Sequence, residues 1–306
     1  MFRVKNIENN NKLLNYIHIS SDVVSCKIYP NLGGSLQQLS FKGFEVIHGI
    51  DHSLEGLKTF NQTYSSAFLF PFSGRIEDGK YKYKNNNYQL DTNDPNFSNA
   101  LHGLIFDQSF DHSTSKIKNN TVIIDLQYIS DGALKGFPFP FHFKISYHIS
   151  QDGICLHFTI ENTGDIPFPF GLGWHPYFYS KNLEESDLLF SSESEIICND
   201  FMIPVSSTIT KKNTSLKIKN DSFDTTYKLA NKTVIFKTEK YSMEMNINNR
   251  AARNYLQIYT PKHRNSIAIE PTTCSPNVFN NKQGLKELLP KETFQCHYNL
   301  NFLFND

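Results

Sequence analysis

Apolar and polar residues alternate with a period of two along most of this chain. In Phe141-His142-Phe143-Lys144-Ile145-Ser146-Tyr147-His148-Ile149 every odd-numbered residue is apolar or aromatic, the pattern of a strand with one buried face. Ser150-Gln151-Asp152-Gly153 then turns the chain, and Ile154, Leu156, Phe158 and Ile160 resume the alternation, which predicts a hairpin. Similar pairs are expected around Asn85-Asn86-Asn87, Asn119-Asn120 and Glu239-Lys240, and a last strand from Thr293 to Phe304 alternates more loosely. Helical periodicity is scarce. Gln283 to Leu289, stopped by Pro290, is expected to form one short helix. About twenty short strands punctuated by Gly, Pro, Asn and Asp predict an all-β sandwich or barrel-like stack. No repeat of fixed period and no linker-like shift in composition interrupts it, so residues 1–306 are read as one domain.

Two phrases carry ionisable groups in matching settings. His175, in Gly171-Leu172-Gly173-Trp174-His175-Pro176-Tyr177-Phe178, and Glu270, in Ile267-Ala268-Ile269-Glu270-Pro271, each precede a proline. The proline ring biases the preceding residue into extended backbone. Alternation then places Gly171 and Gly173 on the face of His175, and Ser266 and Ala268 on the face of Glu270. Trp174, Leu172, Ile267 and Ile269 point the other way, into a core. A wall that is apolar behind and hollow in front, bearing one His and one Glu, suits proton transfer.

Composition narrows the alternatives. Lys+Arg and Asp+Glu are both 30, giving a formal net charge of zero, which argues against a general nucleic-acid or anionic-membrane binder. The five cysteines (Cys26, Cys155, Cys198, Cys274 and Cys296) are scattered and never form a CxxC pair, the usage expected of reduced thiols. The polar start has no signal-peptide character and no apolar run approaches a membrane span, so a cytoplasmic location is expected. Asn61-Gln62-Thr63 and Asn231-Lys232-Thr233 are then chance triplets in an Asn-rich chain rather than glycan sites. No P-loop, GxGxxG or GxSxG is present. His48 and His52 have helical spacing but are separated by Gly49, and His142 and His148 are too far apart on one strand to share an ion. Neither a metal nor another cofactor is expected.

Three further residues stand in suggestive phrases. His102, in Asn99-Ala100-Leu101-His102-Gly103, reads by itself as an ordinary turn histidine. Arg75, in Pro71-Phe72-Ser73-Gly74-Arg75-Ile76, offers a rigid fork of donors that suits ligand hydroxyls and equally suits tying loops together. Cys274 has no basic neighbour in sequence and reads as an inert thiol. It lies in the polar loop Thr272 to Phe279, in which Phe279 is expected as a tip aromatic suited to contacting a ligand.

Taken together, Phe70 to Tyr81, Asn99 to Gly103, Gly171 to Phe178 and Ile269-Glu270-Pro271 resemble, in order and spacing, the aldose 1-epimerase (galactose mutarotase) family. The resemblance implies a large β-sandwich of the galactose mutarotase-like (supersandwich) type with a sugar cleft on one sheet. It implies Glu270 as the general base at the anomeric hydroxyl and His175 as the general acid at the ring oxygen. Arg75 and His102 would bind sugar hydroxyls, as would Asp224, which has a single aspartate in Ser222-Phe223-Asp224-Thr225-Thr226-Tyr227 where the family has a pair. The acid and base are expected on opposite sides of one pyranose-sized hollow. The implied partner is a monosaccharide such as galactose or glucose, handled by a monomer or homodimer. A non-catalytic carbohydrate-binding domain has no need of both His175 and Glu270. A hexose-6-phosphate 1-epimerase requires more cationic groups than Arg75, and a glycoside hydrolase requires a second carboxylate.

Overall fold

The computed structural model describes residues 1–210, 214–249 and 254–305. The predicted alternation is realised in it. Phe141–Ile149 buries Phe141, Phe143, Ile145, Tyr147 and Ile149 and pairs residue for residue with Gly153–Asn162 across the expected turn. At the Asn119-Asn120 turn both residues are left-handed, with φ of 49° and 58°, which matches a two-residue hairpin loop to the twist of its strands. The hairpins around residues 85 and 239 also form, and Thr293–Phe304 is one strand.

Two runs of antiparallel strands make the sandwich. The first passes from Arg3–Ile7 through Tyr16–Ser20, Val24–Tyr29, Ser35–Phe41, Phe44–His48, Tyr177–Tyr179, Ser266–Thr272 and Tyr255–Tyr259 to Asp224–Lys237. The second runs from Asp111–Lys118 through Thr121–Ser130, Phe141–Ile149, Gly153–Asn162, Thr293–Phe304 and Tyr241–Asn249 to the same Asp224–Lys237. That long strand joins both runs: residues 224–228 pair with the first and 233–237 with the second. Their inner faces meet through aromatics, such as Phe41 with Phe302 and Phe68 with Phe158, at ring-centroid distances of 5.0 and 5.4 Å. Burial of such large rings dominates the stabilisation of a core of this kind.

Helices depart from expectation. Gln283 to Leu289 is not helical: Gly284 has a φ of 81°, outside helical backbone, and Lys286–Leu288 pairs with Phe168–Phe170 as a short strand. A single helical turn lies upstream instead, at Val278–Asn281. A ten-residue helix, Leu54–Thr63, was not anticipated. Ser53 caps it by accepting a hydrogen bond from the Gly56 amide, and Tyr64 closes it in the left-handed conformation. No helix among the described residues is long and apolar enough to cross a membrane.

Candidate active site

The central strand Ser266–Thr272 forms the floor of an open cleft of about 560 Å³, and all five residues singled out from the sequence line it. Glu270 sits on this strand opposite Gln257. His175 lies in the two-residue break between Gly173–Trp174 and Tyr177–Tyr179, both of which pair with the same floor strand. Its backbone is held there by the Ala67 carbonyl, which accepts from the His175 amide at 3.0 Å, and by the Ser66 amide, which donates to the His175 carbonyl at 2.8 Å. On the reverse face Trp174, Leu172, Ile267 and Ile269 are fully buried in the core, as alternation required.

The two ionisable groups stand side by side rather than on opposite sides of a hollow. His175 Nε2 is 3.4 Å from Glu270 Oε1, and their side chains are only 6% and 3% exposed. Neighbouring strand segments place them on one wall, which corrects the opposed arrangement. Chemistry explains why adjacency suffices: the two oxygens of a hemiacetal that exchange protons are bonded to the same carbon. Burial pushes the His175 imidazole down to about 4. It also pushes the Glu270 carboxyl well above its usual range, with the negative charge of Asp224 adding to the effect. Desolvation penalises the charged form of each group. A neutral acid with a neutral imidazole holds the same single proton as a carboxylate with an imidazolium. At 3.4 Å the two groups can share that proton, and its titration belongs to both members. His175 Nδ1 is buried and makes no hydrogen bond to another described residue, while the ring stacks on Tyr177 at a centroid distance of 5.2 Å.

The glycines do not simply leave empty space. A Cβ at Gly171 would meet Cys274 Sγ at 2.3 Å, and one at Gly173 would come within 3.1 Å of Ser73 Cβ and Thr272 Cγ2. They allow two chain segments to approach closely behind the site. Cys274 is buried beside the Ser73 hydroxyl at 3.3 Å, and burial raises its thiol, consistent with an inert sulfur. Phe279 is likewise not a ligand contact. It is 1% exposed and packs against Phe72 and Tyr81.

Arg75 and His102 are brought together by a two-stranded ladder in which Arg75 pairs with Leu101. The His102 amide donates to the Gly74 carbonyl at 2.9 Å, and His102 adopts a φ of 63°, a left-handed conformation uncommon for a bulky residue. Its ring contacts Tyr64 and His175 at centroid distances of 4.7 and 5.1 Å. Burial, with His175 and Arg75 adding, holds its imidazole well below the ordinary range. Arg75 donates through Nε to Asp94 Oδ2 at 2.7 Å, and the Asp94 side chain is fully buried. That contact fixes the guanidinium while leaving its two terminal nitrogens without a protein partner among the described residues. Asp224 stands at the exposed rim and accepts from Gln257 Nε2 at 2.7 Å. Partial burial raises its carboxyl, while Arg75 and Gln257 oppose the rise.

Asp94, Tyr64 and Gln257 were not singled out in the sequence. Gln257 joins the site only through cross-strand register, and Tyr64 through the cap of a helix read as loop. Asp94 offered one local signal, the Asp94-Pro95 turn, in which its Oδ1 accepts from the Asn96 amide. Asp94→Asn is expected to raise KM about tenfold while changing kcat less, because it loosens a binding group rather than the proton-transfer pair. Steady-state kinetics would show this, and a kcat loss without a KM change would refute the assignment. Among the described residues no three His, Cys, Asp or Glu side chains are grouped so as to hold a metal ion.

Comparison with known proteins bears on the fold and the family. The Escherichia coli K12 protein YihR is 24% identical over 281 residues, 88% of this chain and 87% of that protein. A galactose mutarotase-like protein from Clostridium acetobutylicum superposes with a TM-score of 0.87 at 18% identity, covering 100% of this chain and 99% of that one. The galactose 1-epimerase from Lactobacillus acidophilus NCFM superposes with a TM-score of 0.80 at 17% identity, with 100% and 99% covered. At these identities the structures establish the fold. A family model described as Aldose 1-epimerase matches residues 17–301, nearly the whole sandwich including the cleft, and the chain accordingly belongs to the aldose 1-epimerase family.

Proposed function

We propose that the protein interconverts the α and β anomers of a free aldose, with galactose or glucose as the first candidates. The observation that carries this reading is the buried His175–Glu270 pair at 3.4 Å on the floor of an open cleft. In the productive tautomer Glu270 is a carboxylate and His175 an imidazolium. Glu270 removes the proton from the anomeric hydroxyl O1 as His175 protonates the ring oxygen O5. The C1–O5 bond breaks, the C1–O1 carbonyl forms, and the pair is left as neutral acid and neutral imidazole. That is the form burial favours, so the site stabilises the open-chain stage. Rotation about C1–C2 presents the other carbonyl face, and both transfers reverse on reclosure. Proton and electron counts are unchanged over the cycle, and positioned transfer of this kind contributes about 10²–10⁴-fold.

The charges around the cleft favour a neutral sugar over a phosphorylated one. Asp51, Asp94, Asp224 and Glu270 line it, whereas Arg75 is the one lysine or arginine among the described lining residues. Polarimetry of freshly dissolved α-D-galactose and α-D-glucose, followed by a panel of other aldoses, tests the proposal. No acceleration with any of them rejects it. A bell-shaped pH dependence is expected. Activity falls at low pH when the pair takes a second proton, an event His175 resists until about pH 4, and at high pH when the raised Glu270 carboxyl loses the shared one. A rate that rises steadily through the whole range would exclude the one-proton pair.

A further inference from the structure

One edge of the sandwich is left open in a way that the others are not. Pro204–Ile209 pairs with residues 194–198 of Asp187–Cys198, and the other side of that segment is taken by Asp224–Lys237. Among the described residues no strand pairs with the outer side of Pro204–Ile209. Its outward N–H and C=O groups therefore form a template for a further strand. Two comparable edges, Arg3–Ile7 and Asp111–Lys118, end the two runs of the sandwich. Both are guarded by charge, Arg3 and Lys5 on one and Asp111, Lys116 and Lys118 on the other. Charged side chains are a common means of preventing edge-to-edge contact. Pro204-Val205-Ser206-Ser207-Thr208-Ile209 has none.

This edge is also apolar where an edge is ordinarily polar. Val205 is 63% and Ile209 90% exposed, and alternation puts both on one face with Ser207 between them. A single exposed aliphatic residue needs no explanation. Two on one face of an unguarded edge call for a partner of matching pattern. The order Val-Ser-Ser-Thr-Ile reads nearly the same in both directions, and a contact between two copies about a two-fold axis requires such self-complementarity. With the axis through Ser207, antiparallel pairing sets Val205 of each copy opposite Ile209 of the other. Ser206 then faces Thr208 on the opposite side of the sheet. Apolar and hydroxyl pairs of this kind are favourable across strands. A slip of one residue would set Val205 against Thr208 and lose both apolar pairs. Cys198, which pairs with Pro204, lines the cleft, so the second copy would stand at the cleft rim.

We propose that two copies of the chain associate through this edge, continuing the sheet of one into the other. The inference is independent of the sugar chemistry. Six residues a side make a contact at the small end of specific interfaces, so association is reversible, with a Kd of about 10–100 µM. Sedimentation velocity over concentrations that span this Kd tests it. The mass is expected to rise from one chain toward two and stop there, because a two-fold contact closes. Val205→Glu and Ile209→Lys are each expected to weaken association about tenfold or more, since each sets a charge against an aliphatic side chain on the edge. An equimolar mixture of the two variants is expected to associate again, because the new Glu then faces the new Lys while Ile209 still faces Val205. Both positions are exposed, and thermal melting checks that each variant is folded. A parent that stays monomeric overturns the proposal, and so does a series of ever larger species or a dimer that both single variants leave intact. A mixture that fails to associate refutes the pairing centred on Ser207, and the contact with it.

Discussion

Glu270→Gln is expected to yield a protein that still binds sugar, turns over about 10³-fold or more slowly, and melts at a higher temperature than the parent. The loss of rate follows from the contact at 3.4 Å: the amide keeps the shape and a hydrogen-bonding oxygen but cannot accept the O1 proton. The gain in stability follows from linkage. The Glu270 carboxyl is raised in the folded protein and the His175 imidazole lowered, so between their two folded pKa values the folded pair holds one proton. One unit above the ordinary histidine pKa of ~6.5, the unfolded chain holds only about a tenth of a proton on these two side chains. Folding then takes up a proton, and stability falls as pH rises toward the folded pKa of the carboxyl, by up to about 1.4 kcal/mol per pH unit. Glutamine abolishes that dependence and spares the fold the desolvation of a buried ionisable carboxyl. Melting curves between pH 6 and 9 alongside polarimetry measure both effects. A variant within tenfold of the parent kcat would remove Glu270 from the chemistry, and a parent Tm independent of pH above 7 would remove the linkage.

Gly103→Ala is expected to be among the most damaging single-methyl additions in the chain. Gly103 has a φ of 81°, and a Cβ there would lie 2.4 Å from the Phe70 carbonyl oxygen and 2.6 Å from the Phe70 amide nitrogen. Both are backbone atoms, and the oxygen already accepts from the Leu104 amide at 2.7 Å, so neither can move aside alone. The unfavourable φ costs about 1 kcal/mol and the forced overpacking a further ~1–3 kcal/mol. Because His102 precedes Gly103, the displaced backbone should also lower kcat/KM. Gly43→Ala is the internal control: its φ is 79°, but nothing lies within 4 Å of the added carbon. The difference between the two urea midpoints isolates the clash. Equal midpoints would show that the chain relaxes around Phe70 without cost.

How far the sequence disclosed all this depends on the range of the interactions involved. Alternation is local, so the hairpin of Phe141–Ile149 with Gly153–Asn162 could be read with its faces. The prolines after His175 and Glu270 marked both as extended. The helix Leu54–Thr63 escaped because only Gly56 and Phe60 of it are buried, too little to show a periodic apolar stripe. Gly284 was read through, although its positive φ forbids the helix assigned there. The remaining site residues depend on distant pairings. Gln257 meets Glu270 only once Tyr255–Tyr259 and Ser266–Thr272 are in register. Asp94 finds Arg75 from 19 residues away. Phe279 looked like a loop tip because its partners Phe72 and Tyr81 lie some two hundred residues upstream in the chain.

The chain has one tryptophan, and it is the residue before His175. Trp174 is fully buried, its indole Nε1 without a partner, on the strand whose opposite face meets the cleft. Emission excited at the red edge of indole absorption, where the chain's 15 tyrosines do not absorb, therefore comes from a single chromophore at the back of the proton-transfer wall. Quenching, spectral shifts and lifetimes report on that wall alone, so ligand entry or loosening of this segment can be followed without a label.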